Sequence, residues 1–199
     1  MNTHFRGPTL RPTTQAAEGL MRRRWSVAEI EAMVVAGVLL EDERFELIGG
    51  EVVPMSPKGN RHELLKGGLN LFWGRRCPDT IRFVPETTFR LSDDTFLEPD
   101  FVFYETASGL VRLDGENALL AVEISDSSLG YDLGRKARLY AVYGIRELWV
   151  IDAVKLVTHV HRRPGIEGYE EKRLVPPDGE LVPDFAPELA VHLGQLELV

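Results

Sequence analysis

Apolar and polar positions recur along this chain with two different periods, and the switches between them predict the elements. Ser26-Val27-Ala28-Glu29 reads as a capping box, with Ser26 as N-cap and Glu29 reaching back to it. The helix it opens carries Ile30, Met33 and Val34 as its apolar stripe and ends near Ala36, with Gly37 just beyond. FELIGGEVV, starting at Phe45, reads as two short strands folded back on Gly49-Gly50. Asn60, with Glu63 three positions on, predicts the cap of a second helix running to about Arg75. Leu65, Leu69 and Phe72 fall on one face of it, with Leu64 and Leu71 beside them. Gly67-Gly68 inside that helix costs about 1 kcal/mol per glycine relative to alanine, which points to close approach to a sheet.

Three strands are predicted next: Thr80–Val84, Glu86–Leu91 and Leu97–Tyr104. Pro85 marks a kink and Ser92-Asp93-Asp94 a turn, and Glu105 to Asn117 reads as a surface loop. Leu119–Ser125 is so apolar that both its faces should be covered. Asp132 is placed to cap a helix from Leu133 to Tyr143, closed by Gly144, and Glu147–Asp152 follows as another central strand. A strand, a helix and a second buried strand in that order imply a right-handed crossover between parallel neighbours. Leu156–Arg162 and Tyr169–Leu174 form an accessory hairpin, and a short strand or helical turn closes the chain around Val191 to Leu198. Residues 1–20, with Pro8, Pro12 and no periodicity, read as a flexible lead. The class is α/β (α+β): one domain over 21–199, with a mixed twisted sheet flanked by helices.

Candidate chemistry concentrates between Glu98 and Lys136. Asp100 and Glu123 lie in segments that otherwise look buried, and a buried carboxylate without a partner costs several kcal/mol. Lys136 shares a helical seam with Leu133, Tyr140 and Tyr143, facing the sheet, while Arg135 and Arg138 point elsewhere. If the two strands are neighbours, both carboxylates converge at one end of the sheet. Like charges that close raise one pKa unless a cation neutralises them. Oxygen ligands alone suit Mg²⁺ or Mn²⁺, with the Ile124 main-chain carbonyl as a further ligand and Lys136 orienting a water. That is the chemistry of phosphodiester hydrolysis. Glu46 and Glu51 flank the tight turn, and one of them, Glu46 ahead of Glu51, could reach such a site; His62 is a candidate phosphate or water contact.

Composition changes this picture little. The net charge of −8 and pI near 5.2 argue against a nonspecific nucleic-acid coat, but leave room for local basic clusters at 22–24, at Lys58/Arg61/Lys66 and at Arg75/Arg76. One cysteine, Cys77, forms no internal disulfide and fits a reducing, cytoplasmic compartment. No apolar run approaches the roughly 20 residues of a membrane span, and no secretory h-region is legible at the N-terminus.

Pro99-Asp100 followed by Glu123-Ile124-Ser125 resembles the PD-(D/E)xK nuclease signature. More closely, FELIGGEVVPMSP, EPDFVFY, VEISDSS and YDLGRKARLYAVYGIRELWVID together resemble a bacterial family of restriction-endonuclease-like proteins, over Trp25 to Val199. The resemblance implies a Mg²⁺-dependent endonuclease acting on DNA, as a homodimer. The signature lysine two positions after the acid is Ser125 here. The resemblance implies that a lysine on the following helix replaces it, which is Lys136, and that Glu46 is an auxiliary acid. Two alternatives stay open. One is a nuclease fold serving as a binding module without turnover. The other is a cupin-like metal site on His159 and His161, which share one face of a strand.

Overall fold

A computed structural model describes residues 23–40 and 42–198; the lead expected over residues 1–20 lies outside them. Helix α1 (Val27–Val35) opens with the Ser26–Glu29 capping box, both of its hydrogen bonds formed. The hairpin β1 (Phe45–Ile48) and β2 (Glu51–Pro54) follows, turning on Gly49 and Gly50, both with positive φ. Gly50 is required twice over, because Arg24 packs where a Cβ would stand. Helix α2 (Asn60–Gly74) leads into β3 (Ile81–Pro85), β4 (Phe89–Ser92), β5 (Thr95–Leu97) and β6 (Phe101–Glu105). Then come β7 (Ala118–Ser125), the one-turn helix α3 (Leu129–Tyr131), a π-helical segment (Asp132–Lys136) and α4 (Ala137–Val142). Strands β8 (Glu147–Asp152), β9 (Val157–Gly165) and β10 (Gly168–Val175) complete the sheet.

Among the described residues the strands form two sheets, ordered β2-β1-β5-β4 and β10-β9-β8-β7-β6-β3. The pair β7–β8 is parallel, as the strand–helix–strand order implied, and the other neighbours in the six-stranded sheet are antiparallel. Every residue of β7 and β8 is buried. One face of this sheet packs Leu65, Leu69 and Trp73 of α2 on Phe101, Phe103, Leu120 and Val122. The other packs Ala137, Tyr140 and Ala141 of α4 on Val102, Ala121, Leu148 and Val150. Alternate residues of β7 therefore look at opposite helices. Helix α1 covers the smaller sheet with Val27 and Ile30 on Phe45, Leu47 and Phe96.

Four sequence expectations need correction. The single strand expected over Leu97–Tyr104 is broken: β5 belongs to the smaller sheet and β6 to the larger, with Glu98-Pro99-Asp100 as the joint. Proline has no N–H to give a ladder, so the chain leaves one sheet and enters the other there. Helix α2 is capped by Gly59, in extended backbone, and Asn60 is its first residue. No side chain caps this helix start, and Asp126 Oδ2 lies beside Gly59, 2.2 Å from where a Cβ would stand. Asp132 does not cap a helix start: helical structure begins at Leu129, and Asp132 lies inside the π segment. Finally, Gly68 lies against the C-terminal stretch near Leu198, not against a sheet, and Gly67 meets open space.

His159 is half-buried and His161 buried, with Nδ1 of His161 lacking a hydrogen-bond partner and its ring edge-on to Tyr169. Among the described residues no three His, Cys, Asp or Glu side chains form a ready metal cage, so the cupin-like alternative lacks its remaining ligands. Burial, then the charges of Lys172 and His159, push the His161 pKa down from 6.5 to about 4. The folded state thus resists a proton that the unfolded chain accepts, and the stability this contributes above pH 6.5 is lost as pH falls toward about 4. Replacing His161 by Phe should flatten that acid limb. Melting temperatures measured from neutral to acid pH should fall less steeply in His161→Phe than in wild type; parallel curves would refute the assignment.

Candidate functional site

The joint between the two sheets creates the site. Continuing the β6–β7 register would bring Pro99 opposite Ile124. The paired strand stops short of that position, and the Asp100 carboxylate takes up the donor left over, its Oδ2 accepting the Ile124 N–H at 2.7 Å. Its other oxygen, Oδ1, lies 2.8 Å from Lys58 Nζ and 2.9 Å from His62 Nε2. Burial alone would raise the pKa of Asp100, but His62 and Lys58 outweigh it and hold the carboxyl below its ordinary value.

Glu123 points from β7 toward the other helical layer. Its Oε1 accepts the Tyr140 hydroxyl and lies 2.7 Å from Lys136 Nζ. The same ammonium lies 2.8 Å from Oε1 of Glu46, which also accepts the Glu98 N–H. Lys136 is 4% exposed, Glu123 4% and Glu46 3%, so one buried cation serves two buried carboxylates. Burial, joined by Asp132, Asp100 and Glu46, pushes the Glu123 pKa up to about 8 against the pull of Lys136. Burial also opposes charge on Lys136, but Glu123, Glu46 and Asp132 prevail and hold it above its ordinary pKa.

The helix after β7 is built to deliver this lysine. Ser125, standing where the signature lysine would be, donates to Asp132 Oδ2 at 2.6 Å, and Ser128 donates to the same oxygen. The Asp132 so anchored starts the π segment, and Lys136 ends it. Single π turns inside α-helices recur at functional sites because they re-aim a side chain. Lys136 and Tyr140 of the expected seam both reach Glu123, while Leu133 and Tyr143 are half-buried.

Asp100, Glu123, Glu46 and Lys136 line one cavity of about 310 Å³. Six carboxylates (Glu46, Glu98, Asp100, Glu123, Asp126 and Asp132) and two lysines stand in its wall. Such a wall attracts cations and repels a phosphodiester unless one is present. Glu51 is exposed at the start of β2, away from this wall. His62 is buried, its Nδ1 3.1 Å from Glu63 and its Nε2 on Asp100, so it braces the acid.

Two participants escaped the sequence reading. Lys58 looked like part of a surface cluster, and Tyr140 like core. Neither carried a local signal: Lys58 precedes the Gly59 cap and stands outside the helical period, and Tyr140 sits in an apolar seam.

Among solved structures, the chain is similar to the crystal structure of "a putative nuclease belonging to DUF820" from Anabaena variabilis. The two share 17% identity, over 85% of this chain and 95% of that one, with a TM-score of 0.62. This likeness concerns the fold, a nuclease-like mixed α+β arrangement. Comparison with curated proteins gives no match. The model of the Uma2 family, described as "Putative restriction endonuclease", matches residues 28–194, and the chain belongs to that family.

Proposed function

We propose that this protein is a divalent-cation-dependent endonuclease that hydrolyses DNA phosphodiester bonds. The observation that carries the reading is Lys136, buried and charged between Glu123 and Glu46, in a cavity wall of six carboxylates that also holds Asp100. The family description and the nuclease-like fold support it.

The residues fit a hard cation. Carboxylate oxygens are the main donors on offer, and the wall carries an excess of negative charge, which adds to burial in raising the Glu123 pKa. Asp100, Glu123 and the Ile124 carbonyl would hold Mg²⁺ or Mn²⁺. When bound, such an ion stabilises charge on phosphoryl oxygens and acidifies a water. The chain's own groups do the rest. Glu46 keeps Lys136 aimed and charged; Lys136 orients a water or offsets charge at the reacting phosphate; Tyr140 fixes one oxygen of Glu123. A homodimer carrying two such sites would cut both strands of a duplex.

A second reading, a binding module without turnover, has two observations in its favour: both oxygens of Asp100 already have protein partners, and no three His, Cys, Asp or Glu side chains among the described residues form a ready metal cage. One pair of measurements separates the two. Mn²⁺ calorimetry and plasmid nicking are run on wild type, Asp100→Asn and Glu123→Gln. The nuclease reading expects both variants to lose Mn²⁺ binding and nicking to drop on the order of 10²–10³-fold. Binding without nicking in wild type would favour the module, and equal binding in all three would remove the cation site.

A further inference from the structure

Lys58 occupies an unusual place in this cavity. It lies in the loop between β2 and α2, one residue before the Gly59 cap, with its side chain 12% exposed. Its ammonium is shared by two acceptors, Asp100 Oδ1 at 2.8 Å and Glu86 Oε1 at 2.5 Å. Glu86 also holds Lys66 of α2 at 3.1 Å. It follows Pro85 in left-handed backbone, φ 48°, which is uncommon for a residue with a side chain. Its N–H bonds the Asp100 carbonyl at 3.3 Å, so the second acceptor is tied to the backbone of the first.

The three partners of Asp100 differ in their freedom to leave. The Ile124 N–H belongs to a buried central strand. His62 is 4% exposed in the first turn of a long helix. Lys58 alone sits on a loop, on a flexible stem, with another carboxylate already in contact. A divalent cation that takes Asp100 Oδ1 must displace a positive charge, and Lys58 is the one that can go.

Resting on the divalent-cation reading above, we propose that Lys58 is a tethered stand-in for the metal. It neutralises Asp100 while no divalent cation is bound, and yields Oδ1 to an incoming ion while staying on Glu86. Only molecules with Lys58 off Asp100 are competent to bind, so the apparent Kd is raised by the reciprocal of that fraction. The lysine thereby sets a threshold of free cation below which the site stays closed.

The test is Mn²⁺ calorimetry at fixed pH and ionic strength on wild type, Lys58→Met, Lys66→Met and Asp100→Asn. Melting of each, with chelator and with Mn²⁺, reports folding independently of activity. Lys58→Met should bind Mn²⁺ about tenfold more tightly. It should also melt lower than wild type in chelator and gain more from Mn²⁺. Lys66→Met removes the same charge from Glu86 without touching Asp100, and should stay near the wild-type Kd. Binding that emerges only in Lys58→Met would also support the inference. Equal tightening in both lysine variants would overturn it in favour of bulk charge. Unchanged or weaker binding in Lys58→Met, with binding lost in Asp100→Asn, would overturn the stand-in and leave the cation site intact. No Mn²⁺ binding in either wild type or Lys58→Met would overturn the cation site itself.

Discussion

Lys136→Met should lower folding stability by about 3–5 kcal/mol and reduce plasmid nicking on the order of 10²–10³-fold. The stability effect follows from what remains after the change. Glu46 and Glu123 are each nearly sealed from water, and both rely on the one ammonium between them. Without it, the Glu123 pKa, already pushed up to about 8, has nothing to draw it down, and Glu46 is left as a buried acid with no cation beside it. Adding Glu46→Gln removes one of the two uncompensated acids, so the double variant should recover part of the lost stability. Its nicking should stay as low as that of Lys136→Met, because the cation at the reacting end is still missing. Urea denaturation of wild type, both single variants and the double variant completes the cycle. A wild-type midpoint for Lys136→Met would show that the lysine is not the buried counter-ion described above. Recovery of nicking in the double variant would show that its role is structural alone.

Trp73→Ala should cost about 3–5 kcal/mol, the range for removing a fully buried indole. Trp73 is 0% exposed and stands edge-on to Phe101 and Phe103, with ring centroids 5.3 and 5.0 Å away. Its Nε1 donates to the Leu189 carbonyl at 3.2 Å, pinning the C-terminal stretch under α2. Trp73→Phe, which keeps most of the packing and loses that hydrogen bond, should cost nearer 1 kcal/mol. Urea unfolding with an unchanged slope would read both values. A shift under about 1 kcal/mol for Trp73→Ala would contradict the packing. The expectation bears on the site as well. Phe101 adjoins Asp100, and α2 carries His62, so Trp73 clamps together the two elements that brace this acid.

Much of this was legible in the sequence where a local pattern and the final environment agree. The apolar runs of β7 and β8 could only be covered on both faces, and they are. The Ser26–Glu29 box and the Gly49-Gly50 turn are local chemistry, complete within a few residues, and both formed as expected. Lys136 was found by helical period because an ammonium in an apolar seam needs an anion wherever the fold supplies one. Where two outcomes shared one pattern, the reading failed. LEPDFVFY looks like one strand, because a period of two does not say to which sheet each half pairs. A π turn adds one residue to a helix and leaves no trace in a pattern only a few turns long. Gly59 stands as the cap in place of Asn60 with no side-chain hydrogen bond, and Asp126, 67 positions away, lies beside it, a closeness no local rule contains.

By itself, then, the sequence determined the strands that must be buried, the helices that cover them, and which acids and which lysine needed partners. Tertiary structure alone decided the joint at Pro99 that turns Asp100 toward Ile124, the bridge from Lys136 to both Glu46 and Glu123, and the arrival of Lys58 at Asp100 across 42 residues. The division has a physical cause. Burial preference and backbone propensity are properties of a segment, whereas an ion pair depends on the distance between charges, which exists only once the segments have packed.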